Sequence, residues 1–341
     1  MILYIGNFLS KHGKTPTHAE NLIIELLKFL DVKFASSYKN KVLRIFDMWA
    51  LIIKNRKSKI LIIDTYSTSA FYFAYTASKL AIFFKIKYVP ILHGGDLINK
   101  YKQNPKLLKD FLEKSHYVIS PSLFLKSFFK SKINSKFVVI PNFVNISDYK
   151  KYENQYNKFE SKIRLLWVRS LHSIYNPLMA VKLLNSLLEL NFNVKLCMIG
   201  PDKDGSKDDI LKLIKKFDIM DKVELTGKLS KKQWMKKSLN YNYFINTTNF
   251  DNMPVSVIEA MALGLPVIST NVGGLPYLIE NNKNGFLVKP NDYVDMAEKI
   301  IQLYNDKEKY NEIIQEAHKS IKDFNKDTVI QKWIKILKKD L

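Results

Sequence analysis

The sequence predicts an α/β fold in two doubly wound, parallel-sheet domains. Short β-branched runs alternate with longer amphipathic stretches along the whole chain, a pattern that requires parallel strands joined by right-handed helical crossovers. At 341 residues the chain exceeds what one core usually holds and suits two α/β domains. A polar stretch without periodicity, ISDYKKYENQYNKFESK over 146–162, separates two similar sets of elements. The expected organisation is therefore a first domain over 1–145, a linker over 146–162 and a second domain over 163–325.

Composition narrows the class. An apolar content of 47% excludes a disordered chain. The single cysteine, Cys197, sits in the apolar run VKLCMIG and cannot form an internal disulfide, which favours a reducing compartment. MILYIGNF is too short and too uncharged at its start for a signal peptide. The longest apolar run, AFYFAYTASKLAIFF, is interrupted by Lys79 and falls short of a membrane span. A cytoplasmic protein is expected. The net charge of +22 is uneven, because residues 1–150 carry 24 basic and 9 acidic side chains. An anionic membrane face or an acidic lipid-linked substrate would explain such a balance, and so would a codon bias toward Lys, Asn and Ile. No aromatic–basic RNA-binding signature is visible, so no nucleic-acid partner is expected.

In chain order, ILYIGNF is a buried strand entering the loop GNFLSKHGKTPT. Thr17 and Glu20 form a capping box for the helix AENLIIELLKFL. KILIID is the next strand, followed by the aromatic helix SAFYFAYTASKLAIFF, whose rings read as core. YVPILHGGDL is a strand ending in a His-Gly-Gly-Asp loop. In KYKQNPKLLKDFLEKSHY, Lys100 to Tyr117, the residues Leu107, Leu108, Phe111 and Leu112 share a helical face with lysines around it. That face reads as core with a solvated rim, or alternatively as a surface for the cytoplasmic leaflet. HYVISPS is a strand whose Ser120 or Ser122 caps a short helix, and KFVVIPNFVN closes the half. IRLLWVRS, VKLCMIG, KVELTG, NYFINT and PVIST are the strands of the second set. Every polar or glycine-rich loop singled out here follows a strand, the place where open α/β sheets bind ligands.

The stretch NFDNMPVSVIEAMALGLPVISTNVGGLP, Asn249 to Pro276, reads as loop, helix, turn, strand and glycine loop. Pro254 suits the first helical position, with Asn252 or Met253 as the cap. Val255, Ile258, Ala262 and Leu263 recur at helical spacing, and Gly264 with Pro266 ends the helix. Unpaired N–H groups and the peptide dipoles at such a helix start suit a phosphate or diphosphate. Glu259, about one turn further on, is placed to accept hydrogen bonds from sugar hydroxyls. The spacing alone is also that of a buried crossover helix with an incidental glutamate.

FDNMPVSVIEAMALGLPVISTNVGGLP resembles the donor-site signature of glycosyltransferase family 4, the retaining, nucleotide-sugar-dependent enzymes of the GT-B fold. The family usually carries two acidic residues with seven between them; Asp251 and Glu259 have this spacing, with Asp in the first place. GNFLSKHGKTPTHAENL resembles the family's N-terminal loop, which implies that backbone near Gly6 and Asn7 approaches the donor diphosphate. ILHGGDL puts His93 where many members have a histidine near the transferred sugar. IPNFVN, MIGPDKDG with Gly200, VELTGKLS and GFLV with Gly285 resemble further family segments. The resemblance implies a GT-B architecture, two Rossmann-like domains facing across a cleft, with a C-terminal helix of about 326–341 packed back on the first domain.

One segment departs from the pattern. The family usually has a glycine, an Arg and then a Lys five residues on, whose charges neutralise the leaving diphosphate. Here WVRSLHSIYNP places Arg169 at the glycine, Ser170 at the Arg and Tyr175 at the Lys. Arg169 takes over the role by a one-residue shift, since a guanidinium suits bidentate phosphate contact; the alternative is a strand-end surface charge.

The resemblance thus implies a retaining glycosyltransferase moving a sugar from a nucleotide-diphosphate sugar to a saccharide or lipid-linked saccharide acceptor, in cell-surface polysaccharide biosynthesis. His93, Arg169 and Asp251 are the expected catalytic residues. Gly6, Asn7, Arg169, Ser170, Gly200, Phe250, Asp251, Asn252, Met253, Pro254, Val255, Ser256 and Glu259 are expected at the donor. Neither a metal nor another cofactor is expected. An anionic membrane surface is a candidate partner of the N-terminal domain, with peripheral placement on the inner membrane. Competing readings are a GT-B epimerase or sugar-phosphate synthase, and a catalytically weak basic protein binding membranes or polyanions.

Overall fold

A computed structural model describes residues 1–12, 17–94, 96–150, 152 and 161–341. The expected linker residues 153–160, the loop residues 13–16 and Gly95 of the His-Gly-Gly-Asp loop lie outside the described residues. The chain divides into two compact units, Met1–Phe143 with Lys326–Leu341, and Val144–Asn325.

The first unit runs β1 (Ile2–Ile5), α1 (His18–Leu26), β2 (Val32–Ala35), α2 (Lys41–Lys54), β3 (Ile60–Thr65), α3 (Ala70–Phe83) and β4 (Lys87–Leu92). It continues through α4 (Leu97–Gln103), α5 (Pro105–Glu113), β5 (Val118–Ser120), α6 (Leu123–Lys130) and β6 (Phe137–Val139). The second unit has α7 (Ser147–Lys150), β7 (Ile163–Val168), α8 (Pro177–Glu189), β8 (Val194–Ile199), α9 (Ser206–Phe217), β9 (Val223–Gly227) and α10 (Lys231–Lys237). Then come β10 (Tyr243–Asn246), α11 (Val255–Ala262), β11 (Val267–Thr270), β12 (Phe286–Val288), α12 (Tyr293–Asn305) and α13 (Lys307–Ser320). The last helix, α14 (Lys326–Lys338), belongs to the first unit.

Each unit holds a six-stranded sheet, ordered β2-β1-β3-β4-β5-β6 and β12-β11-β10-β7-β8-β9. All the pairings are parallel. Both sheets are covered on two faces, as parallel sheets must be when every crossover is a helix. In the first unit one face packs Leu3, Leu61 and Ile63 with Phe71 and Phe111, and the other packs Tyr4, Ile60 and Ile62 with Leu22, Ile23 and Trp333. In the second, Trp167 and Leu165 face Leu183, Leu184 and Ile300, while Leu166 and Phe244 face Val257, Ile258 and Met261.

Several local expectations hold. Thr17 and Glu20 form the reciprocal capping box, and Ser122 is the serine that caps α6. Gly264 lies at φ +69°, the left-handed conformation that ends α11. Others need correction. α11 begins at Val255, so Pro254 precedes the first turn at ψ 113° and no side chain of Asn252 or Met253 caps it. The stretch Lys100–Tyr117 is two helices, because Pro105 starts a new one and Asn104 caps it. Leu108, Phe111 and Leu112 are core residues of the sheet, which removes that face as a membrane surface. The aromatic α3 buries Phe71 but leaves Tyr72 and Phe83 exposed. Part of the expected linker is ordered: α7 carries Tyr149 fully buried in the second unit. The strand β2 and helix α2 have no counterpart among the expected elements.

α14 completes the first unit's core with Val329, Ile330, Trp333, Ile334 and Leu337. His116 Nε2 meets Asp340 Oδ1 at 2.8 Å beyond its end. Trp333→Ala should therefore cost about 3–5 kcal/mol, the usual loss for emptying a buried indole site. Hydrogen exchange should quicken in β1 and α1 but not in β8; unchanged exchange in β1 would show that α14 adds nothing to that core.

Candidate functional site

The second sheet has the strand order in which the first strand, β7, lies between β8 and β10. Its winding reverses there, between β7 and β10, the place where open α/β sheets bind ligands. The loops leaving β7 and β10, with the ones leaving β8 and β11, carry most of the residues singled out in the sequence.

Side chains lock the loops together. Trp167 Nε1 donates to Thr247 Oγ1 at 2.9 Å, and that hydroxyl donates to the Tyr175 carbonyl at 2.9 Å. Thr270 Oγ1 donates to the Thr248 carbonyl at 2.5 Å, and the Asn249 amide to the Ile174 carbonyl at 2.8 Å. The Gly274 amide bonds the Asp251 carbonyl at 3.0 Å. Glycine is required at three places: a Cβ on Gly273 would run into the Asp251 carbonyl, one on Gly274 into that of Asn252, and one on Gly200 into that of Arg169. The backbone that carries Arg169, Asp251 and Asn252 is thus set by close main-chain approach.

Arg169 follows β7 and its guanidinium lies 4.5 Å above the centre of the Tyr175 ring. It forms an ion pair with Asp251. Burial lowers its pKa, while Tyr175 and Glu259 oppose that shift. The Arg169 Nε is buried with no hydrogen-bond partner among the described residues. Tyr175, at the position where the resemblance implies a lysine, thus holds the Arg169 guanidinium by its π face. Ser170 makes no side-chain hydrogen bond among the described residues and is half-buried.

The loop Phe250–Pro254 leads into α11. Asp251 Oδ1 accepts from the Asn252 amide at 2.8 Å, and Phe250 offers its carbonyl to Thr248 Oγ1 at 2.9 Å. Met253 and Pro254 are buried, Val255 half-buried. Pro254, the N-cap of α11, offers no side-chain cap to the first-turn N–H groups. Ser256 Oγ, in that turn, is buried with no hydrogen-bond partner among the described residues. A helix start with such a cap, such a hydroxyl and a nearby arginine is suited to an anion.

Glu259 sits one turn in. Its Oε1 accepts from the Tyr149 hydroxyl at 2.5 Å and lies 3.4 Å from Lys231 Nζ. Lys231 also stands 4.9 Å over the Tyr149 ring. Burial pushes the Glu259 carboxyl above its ordinary value, against the lowering effects of Lys231, Tyr149 and Arg169. Tyr149 and Lys231 were not legible as site residues: one lies in a polar stretch, the other at the start of a lysine-rich helix.

The first unit places Gly6, Asn7 and His93 at the carboxyl ends of β1 and β4. Asn7 Oδ1 accepts from Arg44 Nη1 at 2.8 Å, and Arg44 also binds the Tyr38 and Lys39 carbonyls. His93 Nε2 meets Asp64 Oδ1 at 2.7 Å, and Gly6 lies against the same carboxylate. Gly6, Asn7 and Asp64 line one depression with Ala70, Phe73 and Ala74. Asp64 and Arg44 carry no sequence signal beyond lying in a strand and an unforeseen helix. Among the described residues no group of three or more His, Cys, Asp or Glu side chains could hold a metal ion, and no helix is long and apolar enough to cross a membrane.

Comparison with known proteins gives a family and a fold. Residues 148–320 match the family described as glycosyl transferases group 1. The chain is 25% identical over 260 residues to N-acetyl-alpha-D-glucosaminyl L-malate synthase of Bacillus anthracis, covering 73% of this chain and 67% of the relative. It is 25% identical over 200 residues to poly(ribitol-phosphate) alpha-N-acetylglucosaminyltransferase of Staphylococcus aureus, covering 58% of this chain and 40% of that one. Among solved structures, Anabaena HepE in complex with UDP and glucose superposes with a TM-score of 0.75, over 99% of both chains at 16% identity. That last likeness is one of fold.

Proposed function

The chain belongs to the glycosyl transferases group 1 family, and from that membership we propose that it is a retaining enzyme that moves a sugar from a nucleoside-diphosphate sugar to a saccharide or lipid-linked saccharide. That the chain is a glycosyltransferase follows from the family itself; the donor class, the stereochemistry and the acceptor are the proposal. The observation that carries it is the arrangement around the start of α11. There a first turn without a side-chain cap from Pro254, the Ser256 hydroxyl with no partner among the described residues and half-buried Arg169 lie within one loop cluster, with Glu259 a turn beyond.

In this reading the diphosphate binds at Pro254–Ser256 and Arg169, flanked by Ser170 and Gly200. As the bond from the anomeric carbon to the diphosphate oxygen breaks, negative charge grows on the leaving group. The helix start and the guanidinium meet that charge, so electrostatic stabilisation rather than a metal or cofactor drives departure. Glu259 accepts the ribose hydroxyls. Asp251, with Phe250 and the backbone of Asn252–Pro254, takes hydroxyls of the transferred sugar, and its pairing with Arg169 lets the leaving group displace one partner of an existing ion pair. Gly6, Asn7 and His93 are the first unit's contribution to substrate. A place in cell-surface polysaccharide synthesis is part of this proposal, and a polymeric acceptor is in keeping with the poly(ribitol-phosphate) named for the staphylococcal relative.

The first unit also supports contact with an anionic membrane, through a different helix from the one the sequence suggested. On α2 the apolar Val42, Leu43, Phe46 and Ile53 are exposed. Lys39, Lys41, Lys54, Arg56 and Lys57 are exposed at its two ends. Apolar insertion flanked by cations, each contributing about 1 kcal/mol near anionic lipid, suits the cytoplasmic leaflet.

Three measurements test these assignments. Glu259→Gln should weaken binding of a nucleoside diphosphate by about 1–3 kcal/mol, the cost of removing a charged acceptor; equal affinities by calorimetry would sink the ribose assignment. Arg169→Ala should lower kcat more than it raises the donor KM, because its partner charge develops in the transition state. An unchanged kcat would return Arg169 to a structural role. The protein should sediment with anionic but not neutral vesicles, less so at high salt, since exposed charges are screened within about 8 Å at physiological ionic strength. Phe46→Ser should reduce the bound fraction, and indifference to lipid charge would remove the membrane from the reading.

A further inference from the structure

In the first sheet the strand order reverses between β1 and β3. Asp64, at the end of β3, stands at this reversal, 5% exposed. Both of its hydrogen bonds fall on one oxygen: Oδ1 takes the Tyr4 hydroxyl at 2.8 Å and His93 Nε2 at 2.7 Å. Its Oδ2 is buried with no partner among the described residues. A carboxylate kept for structure alone would spread its donors over both oxygens, because an unsatisfied buried acceptor is costly.

His93 is constrained on three sides. Its amide donates to the Thr65 carbonyl at 2.8 Å, its ring stacks on Tyr66 at 5.0 Å and 20°, and its Nε2 is taken by Asp64. Nδ1 makes no hydrogen bond among the described residues. Since an ionised carboxylate only accepts, the hydrogen of the neutral imidazole belongs on Nε2, and Nδ1 is left with a lone pair. Tyr4 supplies Asp64 with its second donor, and burial together with Asp64 raises the phenol pKa, which keeps Tyr4 protonated and donating.

We propose that Asp64 is a positioning residue that fixes His93 as its Nε2–H tautomer, so that the histidine meets substrate through Nδ1 as an acceptor of a sugar hydroxyl. The step from tautomer to substrate rests on the reading of His93 as a substrate contact. Its consequence is a specificity rule: the ligand group at His93 is a hydrogen-bond donor, and deoxygenation at that carbon removes the contact. No residue close in sequence could serve, as the pair is separated by 29 positions and is joined only by the parallel pairing of β3 with β4.

The test uses the full chain with ¹⁵N-labelled histidine. Long-range proton–nitrogen spectra, recorded on the neutral ring at the alkaline end of a pH series and with His93 assigned by its loss in His93→Gln, should show Nε2 carrying the hydrogen and Nδ1 bare. A hydrogen on Nδ1 overturns the proposal without reference to any activity. Asp64→Ala should release the tautomer, giving averaged nitrogen shifts, and should lower kcat about 10- to 100-fold. Its affinity for a nucleoside diphosphate, read by calorimetry, should change far less than its kcat, since the anion contacts proposed for that ligand are Arg169 and the start of α11. Asp64→Asn keeps an acceptor for Nε2 and should restore both the tautomer and most of the turnover, which also guards against a misfolded alanine variant. Wild-type turnover or an unchanged tautomer in Asp64→Ala would refute the positioning role. Failure of the wild-type protein to bind any nucleoside diphosphate would instead count against the donor reading and leave the tautomer result standing.

Discussion

A parallel sheet covered by helices on both faces has no room for polar side chains except where its strands end. That constraint governs both units. Their strands are apolar through nearly their whole length, and the groups that could do chemistry are displaced to the loops that follow. Where the winding reverses, the loops that follow the strands join through polar groups, and a polar cluster can form without interrupting either core. Arg169 and the Asn246–Pro254 segment occupy that place in the second sheet; Gly6 and Asp64 occupy it in the first.

Charges in such a place must be held by other groups because water reaches them poorly. Arg169, Asp251 and Glu259 illustrate how. The guanidinium has Asp251 beside it and the Tyr175 ring beneath it, while Glu259 is answered by Tyr149 and Lys231. Desolvation disfavours each charged form, raising the carboxyl and lowering the guanidinium pKa. Partly compensated charges of this kind do little for stability. They are well suited to a ligand that brings its own negative charge and its own hydroxyls, since binding then completes a network that the protein leaves incomplete at Arg169 Nε and Ser256 Oγ.

The first unit shows a different imbalance. Its exposed apolar side chains gather on α1, α2 and α3, where Ile24, Val42, Phe46 and Phe83 face outward. On α2 the inward face is narrow, formed by Arg44, Met48 and Ile52, and Arg44 is spent on holding Asn7 and two carbonyls. Helix α2 therefore supports the Gly6–Asn7 loop from behind while turning its larger apolar residues to the surface, which is why its amphipathic pattern does not announce a core helix.

By itself the sequence determined the alternation of strands and helices, the two-sheet α/β architecture and the strand-end position of the loops, because these follow from periodicities read over a few residues. It also determined the capping box at Thr17–Glu20 and the helix stop at Gly264, which depend on local backbone chemistry alone. The tertiary structure decided the rest. β2 and α2 escaped notice since VKFA is a short edge strand and α2 buries only one narrow stripe. The leucine face of α5 could have met lipid or core, and only packing against the sheet assigned it to the core. Tyr149 reaches Glu259 across 110 residues, and Asp64 reaches His93 across 29. Such partners carry no mark in the chain, because a hydrogen bond between distant residues depends on strand register and crossover geometry, not on the neighbours of either residue.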